Sequence, residues 1–185
     1  MKKEIIEWIK AVVFAVVIVG VLNIFITTTM VYSTSMYPTL IEKDLLILER
    51  TDDIERGDIV SFVSNLTINE NDMETLNIIQ KVKAKVGDNK NLIKRVIGMP
   101  GDSFMIKDGQ VYINGELYEE SYVTTTTSGE IQMDQIPEGK YFLMGDNRNV
   151  SLDSRSSQVG LIDEEKLIGD VMIRVFPLNR IGRIQ

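Results

Sequence analysis

At 185 residues with 44% hydrophobic content, the chain has room for one membrane anchor and one compact domain, not for two independent soluble domains. Its formal net charge of -7 argues against a nucleic acid partner, because phosphate binding relies on clustered Lys and Arg. With no histidine and no cysteine, a Ser-His-Asp triad, a thiolate nucleophile, a Cys/His zinc site and a disulfide scaffold are all excluded.

The first element is apolar. Ala11 to Ile26 carries no charged residue, and the apolar character reaches out to Trp8 and Tyr32. A helix from Trp8 to Tyr32 rises about 36 Å at ~1.5 Å per residue, enough to cross a hydrocarbon core of about 30 Å. Trp8 and Tyr32 then fall where interfacial aromatics are expected. Lys2, Lys3 and Lys10 precede the span and no basic residue follows until Lys43, so the positive-inside bias predicts a cytoplasmic N-terminus and an extracytoplasmic remainder. A cleavable signal peptide shares the basic start and apolar run, but no Ala-x-Ala site follows, and Thr27-Thr28-Thr29 is a poor substitute. The reading is a retained single anchor over residues 1–30, with a domain over 31–185 and the lipid bilayer as one partner.

From Val31 onward, short apolar runs separated by turn signals replace helical periodicity. Leu45 to Leu48 and Ile59 to Phe62 read as strands, the second opened by Gly57-Asp58. Ser64 to Asn91 is less regular and reads as an exposed hairpin or extended loop. Within it, Lys81 to Val86 alternates Lys with apolar residues, placing solvated lysines on one face, with anionic lipid contact as the alternative. Leu92 to Gly98 resumes a strong strand pattern and ends at Met99-Pro100-Gly101-Asp102. Asn114-Gly115 between Val111 to Ile113 and Glu116 to Tyr118 is a hairpin signal. Tyr141 to Met144 and Gly169 to Phe176 complete the strands. No long amphipathic helix is visible beyond the anchor, so the class is mainly β: one N-terminal transmembrane helix, then an antiparallel β-rich domain.

Two positions carry the candidate chemistry. Ser33-Thr34-Ser35-Met36-Tyr37-Pro38-Thr39-Leu40 sets hydroxyls just after the anchor; it reads either as a nucleophile segment built on Ser35 or as a polar turn ending a strand at Pro38. A serine nucleophile needs a positioned base, and lysine, carboxylate or an N-terminal amine remain. A lysine base must be neutral, which requires an apolar site to lower its pKa by several units. Lys94 fits best, because alternation sets it on one strand face with Leu92 and Val96 while Arg95 points the other way with Ile93 and Ile97. The competing reading of Lys94 is a salt-bridged or snorkelling side chain. Arg95 stays protonated and cannot be the base.

With these residues in view, the chain resembles the bacterial type I signal peptidases, membrane-bound serine endopeptidases that remove signal peptides from exported preproteins. The resemblance rests on Ser33 to Leu40, Arg56-Gly57-Asp58-Ile59-Val60-Ser61-Phe62, Leu92 to Asp102, and Gly145-Asp146-Asn147-Arg148-Asn149-Val150-Ser151-Leu152-Asp153-Ser154-Arg155, four boxes in order after one anchor. It implies that Ser35 is the nucleophile and Lys94 the general base, with the Ser33 hydroxyl and the Ser35 N–H forming the oxyanion hole. It further implies that Ser151 orients the lysine and that Asp146 pairs with Arg95 and Asp153 with Arg155 as structural support. The implied substrates are signal peptides cut after small residues, commonly Ala-x-Ala, and the implied location is the cell membrane; no metal or cofactor is expected. Val31, Tyr32, Met36, Leu40, Leu92 and Ile93 are candidate pocket walls by adjacency to the dyad, each with plain core as its alternative. The family has a β-rich core with a smaller inserted region, here about 107–140, as in compact single-anchor Gram-positive forms. Leu92 stands where an aromatic is common, and the polar stretch before it looks expanded. Rival readings are a catalytically silent anchored binding protein of the same fold and a self-cleaving Ser/Lys protease. A sortase-like transpeptidase is ruled out by the missing cysteine and histidine.

Overall fold

The computed structural model describes residues 2–75, 81 and 84–184. Helix α1 (Lys2–Phe25) comes first. Its 22 residues Glu4–Phe25, with an 18-residue window of mean hydropathy 2.5, are long and apolar enough to cross a membrane by length and composition, and the rest of the chain covers none of that window. They rise about 33 Å.

The helix expected to reach Tyr32 stops at Phe25. Ile26–Met30, assigned to the anchor from the sequence, is instead strand β1, paired antiparallel with β2 (Leu45–Glu49) from Ile26↔Glu49 to Met30↔Leu45. Ile26 and Thr27 to Thr29 form a β-branched run, which loses side-chain freedom in a helix and packs well on a pleated surface. The Arg50 N–H also donates to the Phe25 carbonyl at 2.7 Å, tying the helix end to β2. No charge or turn residue between Phe25 and Met30 marks where the helix ends, so the boundary does not show in the sequence pattern.

The remaining strands follow as β3 (Ile59–Thr67), β4 (Asn89–Gly98), β5 (Phe104–Lys107), β6 (Gln110–Ile113), β7 (Glu116–Leu117), β8 (Ile131–Met133), β9 (Lys140–Met144), β10 (Ile162–Asp163), β11 (Leu167–Phe176) and β12 (Gly182–Arg183). The larger sheet runs β1-β2-β11-β3-β4-β9-β10, with β12 also on β11; the smaller runs β7-β6-β5-β8. Pairings between described strands are antiparallel, as the sequence predicts. The Asn114-Gly115 hairpin joins β6 to β7, and both residues take positive φ, 54° and 82°, as a type I′ turn requires.

The stretch expected to be a hairpin or extended loop is partly regular. Strand β3 continues to Thr67, and the short helix α2 (Glu70–Thr75) follows. Asn69 caps α2 reciprocally: its Oδ1 accepts the Asp72 N–H at 2.9 Å, and Asp72 Oδ2 accepts the Asn69 N–H at 2.8 Å. Of the alternating lysine segment, residues 82 and 83 lie outside the described residues; Lys81 and Lys85 are exposed.

Alternation along β4 divides the core. Val96 and partly buried Leu92 pack with Val60, Phe62, Tyr141 and Leu143. On the other face, Ile97 packs with Phe142, Met144 and the small sheet's Phe104, Ile106 and Val111, and Ile93 lies against Met36, Leu40, Leu46 and Ile59. Phe104 stacks on Phe142 with ring centroids 4.0 Å apart, fastening the small sheet to the large one.

Candidate active site

Strand β9 pairs with β4 only as far as Arg95↔Met144. Just past that point the chain from Gly145 to Asn147 meets the turn that carries Ser35. The Asn147 N–H donates to the Ser35 carbonyl at 3.0 Å and Asn147 Nδ2 to the Thr34 carbonyl at 3.1 Å, so the last box grips the turn by its backbone. Lys94 reaches the same place from β4. Its Nζ donates to Ser35 Oγ at 2.8 Å and to the Ile93 carbonyl at 3.0 Å. Ser33 Oγ lies 3.1 Å from Ser35 Oγ. Three groups separated by up to 61 positions in sequence thus meet within hydrogen-bond reach.

Lys94 is 2% exposed and Ser35 8%. Burial pushes the Lys94 pKa down from the ordinary 10.5 to about 8, against the pull of the Asp153 and Asp146 carboxylates, with Arg155 adding to the lowering. At such a value an appreciable fraction of the amine is neutral near pH 7 to 8, and its lone pair can take the Ser35 proton across the same contact. No hydrogen bond engages the Ser35 N–H among the described residues, which leaves it available to a ligand oxygen.

Around the dyad the charges are paired. Arg95, on the opposite face of β4, forks Asp146 through Nε to Oδ1 at 2.9 Å and Nη2 to Oδ2 at 2.8 Å. Its Nη1 donates to the Gly57 carbonyl at 2.7 Å, and the Tyr122 ring covers its face with the centroid 3.9 Å from Cζ. A desolvated contact of that kind is worth ~2 kcal/mol. Asp146 also accepts from Thr39 Oγ1 at 2.5 Å. Asp153 accepts Arg155 Nε at 2.8 Å and the Gly145 N–H at 3.0 Å. Burial raises the Asp153 pKa, but Arg155 and the Gly145 N–H outweigh it and hold the carboxyl below its usual range. Both ion pairs implied by the resemblance are therefore present.

Ser151 sits otherwise than expected. Its hydroxyl is buried and makes no hydrogen bond, to Lys94 or to any other described residue. It lies near enough to the Asp153 carboxylate to favour the charge there, but without hydrogen-bond geometry. Between Ser151 and Ser35 stands Gly145: a Cβ there would meet Ser151 Oγ at 2.2 Å and the Ser35 carbonyl oxygen at 2.5 Å, so only glycine fits.

The candidate pocket residues separate. Val31, Met36 and Leu40 are buried in one core cluster, with Ile93 partly buried against it. Leu92 packs instead with Val60 and Phe62, and Tyr32 is 42% exposed. A groove of about 580 Å³ opens elsewhere, along Tyr118, Glu120 and Thr124 to Thr127 on the small sheet. Among the described residues no group of three or more acidic side chains is arranged to hold a metal ion. Sequence reasoning missed Thr39, Asn147 and the clasp of Tyr122 on Arg95. Asn147 lies inside a matched box, whereas nothing local marks Tyr122 as a partner of a residue 27 positions earlier.

Residues 5–176 match the family described as signal peptidase, peptidase S26. The chain belongs to this family. Among curated relatives, a signal peptidase I from Bacillus licheniformis is 35% identical over 98% of this chain and 94% of its own length. Signal peptidase I S from Bacillus subtilis is 33% identical over 98% of this chain and 95% of its own, and a probable signal peptidase I-2 from Synechocystis is 35% identical over 94% and 74%. A crystal structure of a signal peptidase I from Enterococcus faecalis V583 overlaps 64% of this chain and 96% of its own at 24% identity, with a TM-score of 0.47. Membership makes the chain a hydrolase of the signal peptidase type, and the uncovered apolar helix accords with a membrane enzyme.

Proposed function

We propose that this signal peptidase cleaves preproteins with Ser35 as nucleophile and Lys94 as general base. The observation that carries the reading is the 2.8 Å approach of Lys94 Nζ to Ser35 Oγ in a buried setting that lowers the amine's proton affinity. Neutral Lys94 takes the Ser35 proton as Oγ attacks the scissile carbonyl. The oxyanion is met by the Ser33 hydroxyl and the Ser35 N–H, each donor contributing about 3 kcal/mol to the transition state. Lys94 then gives its proton to the leaving amine, and in the second half takes one from the water that hydrolyses the acyl-enzyme. Ser151 makes no hydrogen bond to Lys94 here, so its part in orienting the lysine requires its buried hydroxyl to turn onto Nζ, and the Asp146–Arg95 and Asp153–Arg155 pairs support the box that holds Ser35.

Substrates are signal peptides with small residues at the first and third positions before the cut. A pocket matched to a methyl rejects larger side chains by overlap, while the methyl itself contributes little binding. Val31, Tyr32, Met36, Leu40, Leu92 and Ile93 are the candidates for its wall, with Val31, Met36 and Leu40 also part of one buried cluster. The anchor holds the N-terminus in the cytoplasm and the catalytic part outside, where cleavage sites emerge.

Detergent-solubilised protein incubated with a preprotein carrying an Ala-x-Ala site will release a fragment whose new N-terminus, read by mass spectrometry, follows the second alanine. Ser35→Ala and Lys94→Ala will each abolish release. Normal processing by either variant overturns the assigned dyad.

A further inference from the structure

Arg148 has a fully buried side chain, yet the reaction just described gives it no task. A guanidinium at that depth persists only if its donors are met. Glu120, from the loop between β7 and β8, pairs with both terminal nitrogens: Nη1 donates to Oε2 at 2.8 Å, and Nη2 donates to Oε1. Thr127 Oγ1 accepts from Nη1 at 2.5 Å, and the Gly145 carbonyl accepts from Nε at 3.1 Å. Glu120 Oε1 also accepts the Tyr122 hydroxyl at 2.9 Å, and the Tyr122 ring lies on Arg95. One loop of the small sheet therefore touches both halves of the site.

We propose that Glu120 and Tyr122 are positioning residues for catalysis, a clamp by which the small sheet holds Lys94 and Ser35 in place through Arg95 and Arg148. The proposal rests on the dyad reading above. On the base side, the Tyr122 ring covers a face of a guanidinium whose edge is already forked by Asp146. On the nucleophile side, Glu120 holds Arg148, Arg148 holds the Gly145 carbonyl, and Asn147 two residues on holds the Ser35 carbonyl.

The two arms act differently, and the difference can be measured. The charged groups bearing on Lys94 are Asp153, Asp146 and Arg155; those bearing on Arg95 are the Asp146 carboxylate and the neutral but titratable phenols of Tyr122 and Tyr118. Tyr118 itself lies under Arg56, 6.0 Å from Cζ to ring centroid, so it does not replace the Tyr122 ring. Without that ring, water reaches Arg95, its hold on Asp146 loosens, and the carboxylate is less neutralised toward Lys94. Extra hydration and a stronger carboxylate field both favour the ammonium, so the amine is harder to deprotonate. Loss of the Glu120 charge loosens Arg148 and displaces Ser35 without adding to the field at Lys94.

The test is kcat and kcat/KM of the full chain in detergent on an Ala-x-Ala preprotein, from about pH 6 to about pH 10, alongside thermal unfolding. Tyr122→Leu is expected to move the acid limb up by roughly 0.5 to 1 pH unit, a loss of about 3- to 10-fold below the limb, with KM nearly unchanged. Tyr122→Phe keeps the ring and restores the wild-type limb. Glu120→Gln is expected to lower kcat about 10-fold at every pH and leave the limb in place. Where Tyr122→Leu fails to fold, Tyr122→Met, which keeps apolar bulk but has no ring face, reads the same shift. An unmoved limb in the ring-less variant, whether activity is full or uniformly reduced, overturns the clamp. Ser35→Ala in parallel separates the two ideas: if it still processes substrate, the dyad has failed; if it is dead while the limb is unmoved, only the clamp has.

Discussion

A buried amine that must lose its proton is a liability to the fold. Lys94 titrates at about 8 in the folded chain against an ordinary 10.5. Between those values the unfolded chain binds more protons than the folded one, so stability rises with pH across that window, and below about pH 8 the full penalty is present. The penalty is roughly 3 kcal/mol. Lys94→Met, which keeps the chain's shape and removes the charge, is therefore expected to be inactive and more stable by about 1 to 3 kcal/mol near pH 7. Unfolding of the two proteins compared from about pH 7 to about pH 10 checks this: their difference should shrink as pH rises. A constant difference would mean that the amine is not what the fold tolerates. In wild type the same titration sets the acid limb of kcat/KM near pH 8.

Gly145 makes a second prediction at this scale. Its missing side chain lets Ser151 and the Ser35 carbonyl approach, and a Cβ would force one of them aside. A shift of about 1 Å at a nucleophile costs on the order of 100-fold in rate. Gly145→Ala should therefore lower kcat about 100-fold and destabilise the fold by about 1 to 3 kcal/mol, read from turnover and thermal unfolding of the same preparation. Full turnover would show that Ser35 does not need that approach.

At the scale of elements, β4 carries the base on one face and the main structural cation on the other. Arg95 and Asp146 are both nearly inaccessible, so breaking their pair strands a charge. Asp146→Asn is expected to cost about 3 to 5 kcal/mol. Because Asp146 raises the Lys94 pKa, its removal should also move the acid limb of kcat/KM down, opposite to the loss of Tyr122. A pH profile separates the directions even where both variants lose rate. Much of this architecture was legible beforehand. The strands at Leu45 to Leu48, Ile59 to Phe62, Leu92 to Gly98 and Tyr141 to Met144 follow from short apolar runs bounded by turn residues, and alternation alone put Lys94 and Arg95 on opposite faces. Strand β1 was missed because its uncharged Ile-Thr-Thr-Thr-Met follows the helix with no charge or turn residue between them, and its pairing depends on β2 some 15 residues later. The short helix α2 was missed because Met73 alone among five polar residues makes no apolar stripe. Glu120 and Tyr122 were invisible because their partners, Arg148 and Arg95, are set by how two sheets pack, which no local pattern encodes.

For the whole molecule, the junction between helix and sheet decides what can be removed. Helix α1 is uncovered by the rest of the chain, whereas β1, directly after it, makes five register pairs with β2. Cutting before Ile26 removes an element that contributes nothing to the core. Cutting before Val31 removes a strand worth about 1 to 5 kcal/mol in cross-strand pairs and bares the β2 edge to other chains. The chain from Ile26 should accordingly stay monomeric without detergent and cleave a soluble Ala-x-Ala peptide with kcat/KM within about 5-fold of the full protein; the chain from Val31 should unfold at lower temperature and associate. Neither will match the full chain on a preprotein held in vesicles, where sharing a bilayer raises the effective concentration and is worth about 100-fold or more. Sedimentation of the two truncations, with cleavage of the soluble and vesicle-bound substrates side by side, tests each step. Equal rates for the full and Ile26 chains on the vesicle substrate would show that α1 is dispensable for reaching it, and equal stability of the two truncations that β1 is not part of the folded core.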